Sequence, residues 1–107
     1  MTLPILAKQT NRALVDWLYP APGRQRGRPP AGLLMNVSAA AADSTAVARE
    51  FLAECKADVQ PGQSRVAEFW DHIDVLQEQA KAFQEGRLRP ELWAQELDEY
   101  AAAVTWT

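Results

Sequence analysis

An unbroken heptad pattern of apolar residues limits the fold of this chain more than any other feature of its sequence. Between Val66 and Phe83, apolar residues recur at alternating spacings of three and four. This spacing is typical of an amphipathic helix whose apolar stripe is covered by other helices, because such a helix is unstable alone in water. The pattern predicts a helix over about residues 64–85 that needs packing partners. The stripe consists of Val66, Phe69, Ile73, Leu76, Ala80 and Phe83, with Trp70 beside it.

Three other segments with helical spacing of apolar residues are the candidate partners. Pro20 and Pro22 would end the first, because the residue before a proline disfavours helical backbone. The second would begin near residue 37 or only at Ser44, and the helix-forming alanines at 39–42 favour the earlier start. The 107 residues therefore predict a single all-α domain resembling a four-helix bundle. The predicted helices span about residues 3–19, 37–59, 64–85 and 90–104.

A segment rich in proline, glycine and arginine, residues 20–32, separates the first two predicted helices. Its composition excludes a regular element and predicts an exposed basic loop. The run Arg-Gly-Arg-Pro at 26–29, with another arginine at 24, resembles the AT-hook, a short DNA-binding element with this core. The resemblance implies minor-groove binding, in which the glycine lets the backbone approach the groove floor and the arginines lie along it. A solvated or protein-binding loop is the alternative, and the residues that would contact DNA are Arg24, Arg26, Gly27 and Arg28.

Charge is unevenly distributed along the chain, whose formal net charge is −3. The first third is basic and the remainder is acidic. The basic first third would either pair with the acidic remainder within the molecule or bind an anionic partner. On the predicted central helix, acidic residues occupy the side opposite the apolar stripe. They predict a docking surface for a basic partner protein, with a solvated face as the alternative, and they are Glu68, Asp71, Asp74 and Glu78.

Four tryptophans are many for a chain of this length. Trp17, Trp70 and Trp93 fall one to each of three predicted helices and are expected to meet in the core. Trp106, and also Trp70 because it borders the stripe, are candidate anchors for a partner protein, since aromatic anchors dominate interface energetics.

No constellation in the sequence predicts catalysis or metal binding. His72, the only histidine, follows Glu68 by one turn. One histidine with carboxylates from a single helix is a poor metal site, so a surface or half-buried histidine is expected. Cys55, the only cysteine, occupies an apolar position and is expected to behave as a small buried hydrophobe. With no phosphate-binding glycine loop and no nucleophile elbow, the sequence predicts a protein that is not an enzyme and uses no cofactor or metal.

The remaining features predict where and how the protein acts. A single cysteine fits a reducing cytoplasm, no apolar run reaches the length of a transmembrane helix, and the N-terminus lacks a signal-peptide pattern. The abundance of alanine and the excess of arginine over lysine are typical of a GC-rich bacterial genome. The first hypothesis is a small bacterial interaction protein (an adaptor, chaperone-like factor, inhibitor or assembly subunit), with a homodimer through the stripe left open. The alternative is a DNA-associated accessory protein that uses residues 24–30.

Overall fold

The computed structural model describes residues 3–42 and 45–105, and all regular structure within these ranges is helical. The all-α prediction is therefore confirmed. None of the described helices is both long enough and apolar enough to cross a bilayer. The described elements are α1 (Leu3–Leu18), α2 (Ala31–Ala41), α3 (Ala46–Ala57), α4 (Ser64–Asp71), a 3-10 helix (Ile73–Leu76), α5 (Gln77–Gln84) and α6 (Pro90–Thr105).

The first and last predicted helices are confirmed to within about a residue. α1 ends at Leu18, two positions before Pro20. α6 begins at Pro90, where the missing N–H is harmless because the first amides of a helix have no carbonyl to bond within it. The short connection before α6 contains Gly86, whose φ of 78° is a backbone conformation that favours glycine after a helix end.

The single helix predicted over about residues 37–59 is wrong, because this region forms two helices. α2 begins already at Ala31, inside the segment predicted as a loop, and directly after Pro30. Its start is explained by Leu33 and Leu34, which are buried and give the segment an apolar face to pack. The alanines that favour a long helix instead end α2.

A threonine caps the start of α3 after the break between α2 and α3. Thr45 has the extended backbone of an N-cap residue, and its side chain accepts a hydrogen bond from the Ala48 amide at 3.3 Å. Such an N-cap stabilises the start of a helix by about 1 kcal/mol. The break lets α2 and α3 pack against each other, which one straight helix could not do. The alternative start at Ser44 is nearer to the observed one, although Ser44 itself lies outside the described residues.

The continuous helix predicted over about residues 64–85 is also wrong, because the backbone leaves α-helical geometry at His72 (φ −114°, ψ 15°). A 3-10 helix follows before α5 begins. The Phe69 carbonyl accepts a hydrogen bond from the Tyr100 hydroxyl at 2.6 Å. A group from α6 thus competes for the acceptor that a continuing helix would use for the Ile73 amide. A tertiary contact accompanies the interruption of a helix that the heptad pattern predicts to be continuous.

The apolar stripe lies in the core of the single chain despite this interruption. Val66, Phe69, Ile73, Leu76 and Ala80 are all buried. α4 packs chiefly on α6, and α5 chiefly on α2, while α1 packs on α3. Since other helices of the same chain cover the stripe, a homodimer is not needed to bury it.

Three tryptophans pack in the core, as their positions predict. Trp17 and Trp70 each make an edge-on contact with Phe69, with ring centroids 6.5 and 5.3 Å apart. Trp93 stacks on Phe83 with centroids 6.0 Å apart. Aromatic pairs of this kind contribute about 0.5–1.5 kcal/mol beyond the burial of their area, so they help to hold α1, α4, α5 and α6 together.

A buried asparagine joins three helices through the core. Asn11 of α1 accepts the indole N–H of Trp70 at 2.7 Å and donates to the Cys55 carbonyl at 2.8 Å and to the Asp58 carboxylate at 3.3 Å. Buried polar groups are stable only when paired, because an unpaired one loses its hydration without compensation. The bonds of Asn11 therefore set how α1, α3 and α4 sit against one another.

Candidate interaction surfaces

The four acidic residues predicted to form a docking surface are exposed along one continuous stretch of the chain. Glu68 and Asp71 belong to α4, Asp74 to the 3-10 helix and Glu78 to α5. They follow one another at three or four residues. Glu68 and Asp71 share α4, where this spacing makes side chains neighbours, whereas Asp74 and Glu78 follow the break at His72. Within residues 3–42 and 45–105, none of the four forms an ion pair. The acidic face, as these four residues are called below, therefore holds four exposed carboxylates whose charges no such ion pair neutralises.

Two charges of the acidic face act on the buried hydroxyl of Tyr100. Burial raises the pKa of that hydroxyl well above its usual value, and the negative charges of Asp74 and Asp71 raise it further. The hydroxyl therefore keeps its proton, and with it the hydrogen bond to Phe69, to a higher pH than an exposed tyrosine would.

A cleft of about 400 Å³ lies beside the acidic face, between the C-terminal end of α2 and the stretch that leads into α5. Asp74 and Glu78 line it together with two cations, Arg49 of α3 and Lys81 of α5. None of these four charges is ion-paired with another residue that the structure describes. A partner segment entering this cleft would meet both signs of charge, with further carboxylates along α4.

Of the two predicted aromatic anchors, Trp70 does not lie on the surface. Its exposed fraction is 0%, and its indole N–H bonds to Asn11. The prediction that Trp70 binds a partner is therefore wrong, because the side chain fills the core instead of bordering it. Trp106 lies outside the described residues, so its role stays a prediction.

The basic segment, residues 20–32, is held against the rest of the protein at its middle residues. The Arg26 guanidinium forms an ion pair with Asp98 of α6 at 3.1 Å and lies over the Trp17 ring, 5.1 Å from its centroid. The Trp17 indole donates to the Gly27 carbonyl at 2.7 Å, and Pro29 is buried. The prediction of an exposed loop is wrong at Arg26 and Pro29, because the acidic helix α6 and the aromatic core supply partners for the segment.

The residues that the AT-hook resemblance assigns to DNA contacts therefore differ in their exposure. Arg24, Gly27 and Arg28 are exposed, whereas the side chain of Arg26 is only 16% exposed. Minor-groove binding in the manner of an AT-hook would require Arg26 to leave Asp98. This requirement adds an energetic cost that the sequence alone does not reveal.

The remaining candidate reactive groups are placed as follows. His72 is exposed at the end of α4, and its ring forms no ion pair with Glu68 among the described residues. Cys55 is buried, as predicted, and burial raises the pKa of its thiol to about 12, with Asp58 and Glu54 adding to the rise. The thiol is therefore protonated at neutral pH, which makes it a poor nucleophile. The described part of the chain contains no group of three or more candidate metal ligands.

Sequence reasoning missed one cluster, which surrounds Tyr19. Arg65 of α4 lies over the Tyr19 ring, 5.2 Å from its centroid, and its Nη1 donates to the Leu18 carbonyl at 2.8 Å. Because Tyr19 and Arg65 are 46 residues apart, no local pattern connects them. The one local signal is an arginine in the first turn of a helix, where the dipole disfavours a cation unless another contact holds it.

Comparison of the chain with protein-family models, with curated proteins and with solved structures finds no significant match in any of the three.

Proposed function

We propose that the protein is a non-enzymatic interaction factor that binds a basic partner protein through its acidic face. One observation carries the proposal, namely four exposed carboxylates at successive turns that form no ion pair with any described residue. Repulsion among such neighbours destabilises the free protein, and cations from a partner would relieve it. Complementary charge of this kind acts mainly on the association rate and on the choice of partner.

The neighbouring cleft supports a partner segment of mixed but predominantly basic charge. Asp74 and Glu78 would receive its lysine or arginine side chains, while Arg49 and Lys81 would receive an acidic side chain in the same cleft. Placing repulsive and attractive charges together is a common way in which proteins reject incorrect partners. The partner surface that fits best is therefore a basic segment with an acidic residue beside it.

We place this activity in the bacterial cytoplasm. The lone cysteine is buried, so the protein requires no oxidising compartment for a disulfide of its own. The abundance of alanine and the excess of arginine over lysine support a bacterial origin.

Removing the charges of the acidic face is expected to weaken partner binding. The variant combines Glu68→Gln, Asp71→Asn, Asp74→Asn and Glu78→Gln. We expect it to lose proteins that the wild-type chain retains from a native bacterial lysate at physiological salt. For a purified partner, the dissociation constant should rise by at least about fourfold, since four exposed charge pairs are lost and each contributes about 0.2–1 kcal/mol. Calorimetric titration of that partner measures the change.

A matched variant distinguishes the effect of the acidic face on binding from the effect of net charge. It neutralises four exposed carboxylates elsewhere, through Glu50→Gln, Glu54→Gln, Glu91→Gln and Glu99→Gln. Because both variants lose the same formal charge, this one should bind like the wild type. The proposal is rejected by equal losses in the two variants, or by an acidic-face variant that retains the same proteins as the wild type.

DNA binding by the basic segment is the second hypothesis, and the exposure of Arg24 and Arg28 favours it. It predicts that an AT-rich duplex binds at low salt, where phosphate contacts are strongest. Combining Arg26→Ala with Arg28→Ala should abolish that binding. Asp98→Asn should instead strengthen it, because this change frees Arg26 from its ion pair.

The control for this measurement is Arg87→Ala combined with Arg89→Ala, which removes two exposed arginines near the start of α6. Fluorescence anisotropy of a labelled duplex gives the affinities. If the wild type and the Arg26/Arg28 variant bind the duplex equally well, the second hypothesis fails.

A further inference from the structure

A basic cleft of about 540 Å³ lies where the end of α1 meets the start of α4. Three arginines line it, Arg24 and Arg26 from the basic segment and Arg65 from α4, and Tyr19 forms part of its wall. Among the described residues, no acidic side chain lines this cleft. Like charges around one cleft repel each other and attract anions from solution. This arrangement therefore favours a bound anion.

Two of the three charges are held in position by the protein. Arg26 donates from Nε to the Asp98 carboxylate at 3.1 Å and from Nη2 to the Asp98 carbonyl at 3.3 Å. Arg65 is held by the Leu18 carbonyl and by the Tyr19 ring. Side chains that are already ordered lose little conformational entropy when a ligand binds. The cleft is thus largely preorganised for an anion.

Hydrogen-bond donors remain available around the same cleft. The Tyr19 hydroxyl accepts the backbone N–H of Arg65 at 3.0 Å, and its own proton has no acceptor within the described ranges. The Arg24 guanidinium and Nη1 of Arg26 likewise form no hydrogen bond with residues that the structure describes. The Arg65 amide belongs to the first turn of α4, where the helix dipole contributes further positive potential.

We propose that this cleft binds a phosphate group. Arg24, Nη1 of Arg26 and the Tyr19 hydroxyl donate hydrogen bonds to its oxygens, and Arg65 contributes positive charge. Planar guanidinium groups suit this ligand, because their N–H donors match the geometry of phosphate oxygens. The proposal does not depend on the acidic face. It also differs from minor-groove binding, since Arg26 keeps its contact with Asp98.

Titration of the full chain with inorganic phosphate, followed by amide NMR, tests the proposal. We expect saturable shifts at the amides of Tyr19, Arg24 and Arg65, with a dissociation constant on the order of 1 mM. Arg24→Gln should raise that constant about tenfold, because one charge-assisted contact is lost. Tyr19→Phe keeps the ring beneath Arg65 and removes only the hydroxyl, so a several-fold rise is expected. Arg89→Gln, at an exposed arginine directly before α6, is the control and should change nothing.

Three further probes identify the source of the phosphate group. They are a short oligothymidylate, phosphatidylglycerol vesicles and adenosine monophosphate. A probe identifies the source if it binds more tightly than inorganic phosphate and if Arg24→Gln weakens its binding. If none binds more tightly, the ligand is free phosphate. The proposal is overturned if phosphate up to roughly 20 mM gives no saturable shift, if the shifts lie outside the cleft, or if Arg24→Gln binds as the wild type does.

Discussion

Introducing a charge in the middle of the stripe, through Ile73→Asp, is expected to remove a large part of the stability of the fold. Ile73 is 2% exposed and belongs to the 3-10 helix between α4 and α5. The change removes a large apolar side chain from the core and places a carboxylate there, with an expected loss of about 4 kcal/mol or more. A domain of this size has a total stability on the order of 5–15 kcal/mol. Urea unfolding followed by circular dichroism measures the loss.

The same 3-10 helix provides the control. Val75 lies two positions away and is 65% exposed. Val75→Asp should therefore change the stability by no more than about 0.5 kcal/mol, as is usual for surface substitutions. If Ile73→Asp stays folded with the unfolding midpoint of the wild type, or stays folded and only loses an oligomer, the stripe is not the core of this chain.

Truncating the buried asparagine, through Asn11→Ala, is expected to lower the free energy of unfolding by about 2–3 kcal/mol. Asn11 is 3% exposed and makes three hydrogen bonds. Without its side chain, the Trp70 indole N–H and the Cys55 carbonyl lose their bonds to it while they remain buried. A lost hydrogen bond whose partner stays desolvated costs more than one whose partner regains water. Urea unfolding by circular dichroism again gives the value.

Asn36→Ala is the matched substitution, because Asn36 is half-buried and makes one hydrogen bond to a described residue, the Thr10 hydroxyl at 3.0 Å. We expect it to cost about 1 kcal/mol. A second test combines Asn11→Ala with Trp70→Phe. Since each change removes the same hydrogen bond, the two losses should not add fully. Full additivity, or an Asn11→Ala variant as stable as Asn36→Ala, would show that the asparagine does not join these helices.

The helical class and the two outermost helices could be predicted because their signals are local. Apolar spacing and the prolines at the ends of α1 and at the start of α6 depend on neighbouring residues only. The two breaks were not predicted, for different reasons. The Thr45 cap competes with helix-forming alanines of opposite preference, and the interruption at His72 accompanies a bond between Phe69 and Tyr100, 31 residues apart.

Some features of the candidate surfaces could likewise be predicted from the sequence and others could not. The exposure of Glu68, Asp71, Asp74 and Glu78 follows from the position of charges opposite an apolar stripe, and the sequence was sufficient to predict it. The sequence does not decide whether Trp70 lies in the core or on the surface, because a tryptophan at the border of a stripe packs well in either position. Its hydrogen-bond partner Asn11 lies 59 residues away and selects the inward position.

The basic segment shows most directly that composition does not predict contacts between residues far apart in the chain. Composition predicts irregular backbone there, and the structure has no regular element over residues 19–30. Composition could not predict that Arg26 would pair with Asp98, 72 residues away. It also could not predict that Arg24 and Arg65 would share a cleft with it.

By itself, the sequence determined that this chain is helical, which face of its central segment is apolar and which side chains carry the charges. These properties depend on periodicity and on residue type, which are local. Only the tertiary structure decided where the helices break, whether Trp70 faces the core, and which arginines converge at Tyr19. Those outcomes depend on contacts between residues far apart in the chain, whose energies no local pattern contains.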